Sequence, residues 1–333
     1  MELRKVGKSG VVGTAIALGT WAIGGGGFWD KEDDDIEAIE TIRAAVEGGI
    51  TMIDTAPGYG EGKSERLIRE ALKDVPRDKY TISTKCGLVW FGDEGGYMHT
   101  LNGKRYYRNL TPKSMRIEVE NSLERLGVDC IDVYFTHWPS LPSFPTPIAE
   151  TMQGLVDMKK EGLIKAIGAS NVDLNQIKEY MDVAHLDAIQ PPYSMLTRGV
   201  EAETLPYCVE NEISVFAYSP LEQGLLTGNI GMDYEPPAGT YRADYLGWWY
   251  KKENRIKILN MLEGWKDLTE KYDCTVSQLV IAWTIAQKGI TFALCGARKR
   301  KHLLENIKAG NLKIEQADLD RMRKDVEALP QSE

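Results

Sequence analysis

The sequence predicts a single (β/α)8 barrel spanning residues 1–333. Three observations predict it. Eight short, apolar, often β-branched runs recur along the chain, the pattern of parallel strands buried on both faces. Amphipathic helical stretches separate them, so strand and crossover alternate. Neither a composition break nor a linker divides the chain. The competing architecture, a doubly wound sheet, would carry Gly-x-Gly-x-x-Gly after its first strand. Here that strand is followed by Gly19-Thr20-Trp21.

The elements follow in order. Lys8-Ser9-Gly10 punctuates two short extended segments, predicting a hairpin at about 2–14 that closes the bottom of the barrel. Strands are expected at 15–18, 51–53, 80–84, 131–135, 165–169, 187–189, 214–217 and 291–294. A helix at 34–47 opens on acids suited to a positive helix start and ends at Gly48-Gly49. Thr111-Pro112 gives an N-cap and an N1 proline to a helix at 113–126, stopped by Gly127. Thr146-Pro147 repeats that device for 148–160, with Gly162 as the stop. Helices at 173–181, 202–211 and 275–287 complete the set. The connections 88–110 and 221–252 are long and show no pattern of their own; both follow strands, so both are expected as lids on the C-terminal face. A tail is expected at about 309–333.

Composition excludes several functions. The formal charge of −9 argues against a general nucleic-acid binder, which needs a basic face. No apolar run reaches the ~18 residues of a spanning helix, and the charged N-terminus from Met1 to Gly7 leads into no apolar core, so no secretory signal is expected. Cys86, Cys130, Cys208, Cys274 and Cys295 are odd in number and widely spaced, as expected of reduced thiols in a cytoplasmic protein. No histidines pair at helical spacing, so no His-based metal site is expected.

Barrel chemistry lies just past the strand ends. There the chain places Trp21, Asp54 with Tyr59, Lys85, His137-Trp138, Ser170-Asn171, Gln190, Tyr218-Ser219-Pro220 and Gly296 with Arg298. A phenol beside an ammonium is a usable proton donor, because the ammonium favours phenolate. Lys85 would lower the pKa of Tyr59 in this way, with Asp54 holding Lys85 charged and His137 donating to a substrate oxygen. That is equipment for carbonyl reduction or alcohol oxidation. No side chain supplies a hydride, so a nicotinamide coenzyme is implied.

These stretches resemble the aldo-keto reductase superfamily. The match runs in order through Gly19-Thr20-Trp21, Asp54-Thr55-Ala56-Pro57-Gly58-Tyr59-Gly60, Ser83-Thr84-Lys85, Thr136-His137-Trp138-Pro139, Gly168-Ala169-Ser170-Asn171, Gln190-Pro191-Pro192-Tyr193, Tyr218-Ser219-Pro220-Leu221 and Gly296-Ala297-Arg298 with Glu305-Asn306. It is most similar to the bacterial branch near the inositol-operon reductases and the potassium-channel β subunits. The resemblance implies Tyr59 as general acid, tuned by Lys85 and Asp54, with His137 positioning the carbonyl. It implies a coenzyme held by Trp21, Ser170, Asn171 and Gln190, stacked on by Tyr218, lined by Ser219, Pro220 and Leu221, and clamped by Arg242. Gly296, Arg298, His302 and Asn306 would surround the adenosine end. Arg298 beside Lys299, Arg300 and Lys301 suits a 2′-phosphate, which favours NADP over NAD. The sequence departs from the family at Cys295, where proline is frequent, at His302, where glutamine is usual, and at Asn229, where the channel subunits carry lysine.

Trp21, Trp90 and Trp138 are expected to wall an apolar pocket, with Trp248 and Trp249 within reach from the second lid. The partner is then a small carbonyl or alcohol: an aldehyde, ketone, sugar or polyol. Two alternatives stay open, a nicotinamide-binding regulatory subunit with little turnover and a lyase using Lys85 as a Schiff base. The run Gly58-Tyr59-Gly60-Glu61-Gly62-Lys63-Ser64 mimics a phosphate loop, but Pro57 stands where its first glycine is required and Glu61 would repel phosphate. The four glycines at 24–27 are read as a flexible loop, and Cys86 as buried structure.

Overall fold

The computed structural model describes residues 1–25, 34–101, 103–238, 241–244 and 247–330. Two of the four glycines (Gly26 and Gly27), parts of the second lid and the last residues of the expected tail lie outside the described residues.

An antiparallel hairpin of β1 (Leu3–Lys5) and β2 (Val12–Thr14) comes first. The barrel strands are β3 (Ile16–Gly19), β4 (Met52–Asp54), β5 (Thr81–Cys86), β9 (Ile131–Thr136), β10 (Ile164–Ser170), β11 (Ala188–Gln190), β12 (Ser214–Tyr218) and β13 (Phe292–Gly296). Between β5 and β9 lie β6 (Leu88–Val89), β7 (Gly96–Leu101) and β8 (Lys104–Arg108). The eight barrel strands are all parallel and close in the order β10-β11-β12-β13-β3-β4-β5-β9. Every one overlaps a run expected from the sequence, and most reach slightly further toward the C-terminal rim.

Helices cover the outside: α1 (Trp21–Gly24), α2 (Asp35–Glu47), α3 (Lys63–Leu72), α4 (Pro112–Leu126), α5 (Ile148–Lys160), α6 (Leu174–Val183) and α7 (Thr204–Glu210). After β12 come a short 3-10 segment (Glu222–Thr227), two single turns α8 (Tyr241–Asp244) and α9 (Gly247–Tyr250), then α10 (Lys252–Glu263), α11 (Lys266–Lys271) and α12 (Val276–Ala286). α13 (Arg300–Ala309) and α14 (Gln316–Glu327) follow the last strand. The starts are capped as their residues dictate. Asp34, Thr111, Asp173 and Thr275 each accept a backbone N–H of the first turn, and Asp173 and Thr275 close capping boxes with Gln176 and Gln278.

Side chains alternate across each strand, so two apolar layers form. Inside the barrel Met52, Val133, Phe135, Phe216 and Phe292 pack together, with ring centroids 4.4 Å apart for Phe216 and Phe292. Val6 and Val11 of the hairpin join this inner cluster, so the hairpin plugs the N-terminal end as expected. A larger layer lies between strands and helices.

Three expectations need correction. The connection 88–110 is not without its own structure: β6, β8 and β7 pair antiparallel in that order. Its signal was the Asn102-Gly103 pair between aromatic and β-branched residues, a hairpin-turn dipeptide. Thr146 does not cap α5. Pro147 occupies the cap position, Thr146 is held one residue earlier through Ser140, and its Oγ1 is buried with no hydrogen bond. The stretch expected as a tail carries α14, whose start at Glu315 has no side-chain cap to announce it.

Candidate active site

Asp54 ends β4, and Lys85 lies one pleat above Ser83, the residue paired with Asp54 in β5. Ser83 and Lys85 therefore face inward, while Thr84 and Cys86 face the helices. Lys85 Nζ donates to Asp54 Oδ2 at 2.9 Å, to the Thr55 carbonyl at 2.7 Å and to the Tyr59 hydroxyl at 3.2 Å. Asp54 Oδ1 accepts from Ser83 Oγ at 2.8 Å and from Gln190 Nε2 at 2.9 Å. The Tyr59 ring stands edge-on to His137, 6.0 Å between centroids, with Trp21 tilted 6.5 Å away on another side. The four residues expected to carry the chemistry are thus brought together at one rim.

The loop bearing Tyr59 is fixed from behind. Thr55 Oγ1 donates to Ser64 Oγ, Ser64 Oγ to Thr20 Oγ1, and Thr20 Oγ1 to the Asp54 carbonyl, at 2.9, 2.7 and 2.8 Å. All three hydroxyl residues are buried. Gly24 presses against the same loop: a Cβ there would lie 2.6 Å from the Tyr59 carbonyl group. Backbone cannot yield as a side-chain tip can, so Gly24→Ala should displace Tyr59 and destabilise the fold by ~1–3 kcal/mol. A thermal melt and kcat should fall together; a variant with wild-type values of both contradicts the contact.

The electrostatics differ in one respect from expectation. Packing around Tyr59 pushes its phenol up, and although the Lys85 ammonium pulls it down, the net direction is upward. Lys85 therefore offsets the burial of Tyr59 without lowering its pKa below the ordinary value. For Lys85 itself burial pulls down, but the Asp54 carboxylate and Tyr59 reverse this and the net direction is up. An amine held as ammonium is a poor nucleophile, which weighs against the Schiff-base alternative. Burial, then the charges of Lys85 and Arg108, hold His137 well below its ordinary value. Its imidazole is neutral and can donate one N–H.

Around this centre, strand ends form a tied rim. Ser170 Oγ donates to the Gln190 carbonyl at 2.8 Å. Asn171, in left-handed backbone, donates to the His137 carbonyl at 2.9 Å and to Ser170 Oγ at 3.1 Å, and accepts from the Tyr218 hydroxyl at 2.8 Å. Past Tyr218, the residues Ser219, Glu222, Gln223 and Gly224 all have positive φ. This curled segment is pinned by Arg242, whose Nε and Nη2 donate to the Gln223 carbonyl at 3.0 and 2.8 Å. Gln223 Oε1 is buried there without a hydrogen-bond partner. Pro220 and Leu221 lie on the same segment. Gly296 sits beside Gly19 in the sheet, and buried Asn306 donates to its carbonyl at 3.4 Å. The Arg298 carbonyl accepts from Thr41 Oγ1 at 3.3 Å, and Lys299 Nζ lies 3.5 Å from Glu37 of α2. His302 is exposed one turn into α13.

A dinucleotide fits these residues. Amides and hydroxyls surround the acid, the curled segment offers the unpartnered Gln223 Oε1 as an acceptor for a hydroxyl, and cations mark both the clamp and the far end. The amides are more committed than the sequence implied, because Gln190 Nε2 is already spent on Asp54. Trp90 meets Tyr106 at 6.0 Å and Phe91 at 5.6 Å, so it joins an aromatic wall built by the β6–β8 sheet. Trp138 lies under the Arg108 guanidinium at 5.0 Å. Trp249 instead packs against the outer apolar layer.

Several residues escaped sequence reading. Buried Glu118 of α4 accepts the Gly87 N–H at 3.0 Å, fixing the exit of β5, and burial pushes its carboxyl up to about 8. Glu61, two residues past Tyr59, is gripped by Lys104 and Tyr106 of β8. Neither contact has a local signal, since both partners come from distant elements. Among the described residues no helix is long and apolar enough to cross a membrane, and no group of acids, cysteines and histidines could hold a metal.

Comparison with known proteins gives matches over nearly the whole chain. Residues 15–327 match the aldo/keto reductase family. The chain is 46% identical over 329 residues to a protein of Escherichia coli (strain K12) named NADH-specific methylglyoxal reductase, covering 99% of each. It is 37% identical over 304 residues to aldo-keto reductase YhdN of Bacillus subtilis (strain 168), covering 90% of this chain and 86% of the other. Among solved structures, a glycerol dehydrogenase from Gluconobacter oxydans superposes with a TM-score of 0.86 at 34% identity, covering 98% of this chain and 95% of the other.

Proposed function

The chain belongs to the aldo/keto reductase family, which makes it an oxidoreductase moving a hydride between a nicotinamide coenzyme and a carbonyl or alcohol; on that premise we propose Tyr59 as its proton donor and NADH as its working reductant for small carbonyl substrates. The observation that carries the first part is the single ammonium of Lys85, which touches both Asp54 and the Tyr59 hydroxyl. A carbonyl oxygen between Tyr59 and His137 would accept one hydrogen bond from each. Reduced nicotinamide, when bound, supplies the hydride to the carbonyl carbon. As negative charge develops on the oxygen, Tyr59 gives up its proton, and Lys85 stabilises the phenolate left behind. Asp54 keeps Lys85 charged throughout, and neutral His137 fixes the oxygen without competing as an acid. Ser170, Asn171, Gln190 and Tyr218 would orient the nicotinamide, with Arg242 and the curled segment holding the phosphates.

An acid stands against the preference for NADP that the cationic run at 298–301 implies. The Glu37 carboxylate next to Lys299 offsets one of those cations and would repel a 2′-phosphate. The 46%-identical relative is named NADH-specific, which supports the same reading. The test is a panel of aldehydes, ketones and polyols, methylglyoxal included, each with NADH and NADPH and followed at the nicotinamide absorbance band. NADH should give the higher kcat/KM, and Glu37→Gln should raise the NADPH-to-NADH ratio about tenfold, the equivalent of about 1.4 kcal/mol. An NADPH-preferring wild type, or an unchanged ratio in the variant, contradicts the assignment.

A further inference from the structure

Arg108 ends β8 at the rim, and among the described residues no carboxylate pairs with it. Its guanidinium carbon lies 5.0 Å over the Trp138 ring, next in sequence to His137. Nη1 donates to the Pro139 carbonyl at 3.2 Å. Among the described residues that is its one hydrogen bond, and no carboxylate forms an ion pair with it. Nε is buried without a partner. Stacking on an indole offsets only part of the cost of desolvating a guanidinium. A half-buried cation lacking an anion is costly unless something compensates it. The surface acids of this chain, by contrast, are repeatedly matched by lysines and arginines, and even exposed Arg116 holds two of them.

The position of this cation decides what would compensate it. Trp138 and Pro139 directly follow His137, which faces Tyr59 edge-on. The guanidinium is near enough that its charge, after burial and Lys85, helps hold the His137 imidazole neutral. It also acts, after burial, on His99, which stacks on Tyr106 of the aromatic wall at 4.9 Å. Arg108 thus stands over the residue next to His137, where a substrate whose carbonyl oxygen lies between Tyr59 and His137 would extend its chain. The planar fork matches a carboxylate, and its anchoring through Pro139 and Trp138 means little ordering is needed on binding.

We propose that Arg108 is a specificity residue that recognises a carboxylate on the substrate, so that short oxo acids are reduced in preference to neutral aldehydes of the same length. This rests on the carbonyl-reducing reading above and narrows its substrate class. The chemistry is unchanged: hydride goes to the carbonyl carbon, the Tyr59 proton to its oxygen, and the carboxylate stays intact.

The experiment compares butanal with 4-oxobutanoate, and propanal with 3-oxopropanoate, under NADH, for the wild type, Arg108→Lys and Arg108→Met. The wild type should favour the acid of at least one pair by tenfold or more in kcat/KM. Arg108→Met should bring that ratio down to about one, chiefly through KM of the acid, and Arg108→Lys should restore part of it. Without turnover, butanoate should quench tryptophan fluorescence through Trp138 in the wild type and fail to do so in Arg108→Met, with circular dichroism confirming the fold of each variant. A wild type that reduces neutral aldehydes as well as the acids, or a ratio insensitive to Arg108, overturns this proposal alone. A wild type that reduces neither, with either coenzyme, overturns the carbonyl-reducing reading and this one with it.

Discussion

Tyr59→Phe should lower kcat by a factor of about 10³ or more, within the ~10²–10⁴ range of a lost general acid, while tryptophan quenching by NADH persists. Among the described residues the Lys85 ammonium touches a carboxylate, a carbonyl and this phenol, and of these the phenol is the proton donor. The variant keeps the ring, and with it the edge contact to His137 and the neighbouring Trp21. What it removes is the proton and one acceptor for Lys85. Binding and chemistry should therefore separate. The pH profile gives a second check. Tyr59 is pushed above the ordinary phenol value, so the donor stays protonated as pH rises until that raised value is passed. The alkaline limb of kcat/KM in reduction should lie beyond the usual phenol range and vanish in Tyr59→Phe. Because His137 is held well below its usual value, no limb from histidine should appear near neutrality. Wild-type turnover in Tyr59→Phe, measured with the same carbonyl and coenzyme, ends the assignment.

Lys85→Met should be the most destabilising single change at the rim. Lys85 is 1% exposed and Asp54 3%, so the substitution strands a carboxylate in a site closed to water. Breaking one side of such a pair costs ~3–5 kcal/mol, far more than the net worth of the pair. A urea melt should show this as a lower midpoint with an unchanged slope. The pH dependence has a definite sign. The folded-state value of Lys85 is raised, so its contribution is complete below the unfolded-chain value of about 10.4 and is lost as pH rises through the folded value. The wild type should therefore lose stability in strong alkali more steeply than Lys85→Met does. Lys85→Met with Asp54→Asn should recover much of the midpoint, because no unpaired charge remains, yet recover no turnover. Recovery of both would mean that the pair serves only the fold.

The barrel was legible because its physics is local. An apolar, β-branched run followed by a helical period is visible residue by residue, and Asp54, Lys85 and His137 stand where such runs end. The capped helices were legible for the same reason: Thr111-Pro112 and Asp173 with Gln176 are complete signals within one turn. What escaped was non-local. Thr146-Pro147 reads as a cap, yet Ser140 claims the residue first. α3 starts at Gly62 without any side-chain cap, so only its periodicity marks it. Gln190 reads as a coenzyme ligand, but its amide nitrogen is taken by an aspartate 136 positions away. The direction of the Tyr59 shift turned on how tightly the protein closes around the ring, which sequence does not state. Arg108 is the extreme case, since a missing counter-charge can be noticed only after every neighbour is in place.

Glu61 gives the β6–β8 sheet its hold on the barrel beside the proton donor, through Lys104 and Tyr106. The aromatic ribbon and the donor's loop therefore behave as lock and bolt. A transplanted ribbon from another scaffold could change which molecules enter without retuning the acid, provided it brings a cation or a hydroxyl for Glu61 to close on. One that brings neither would leave the bolt undrawn, and turnover would suffer even with a well-shaped entrance.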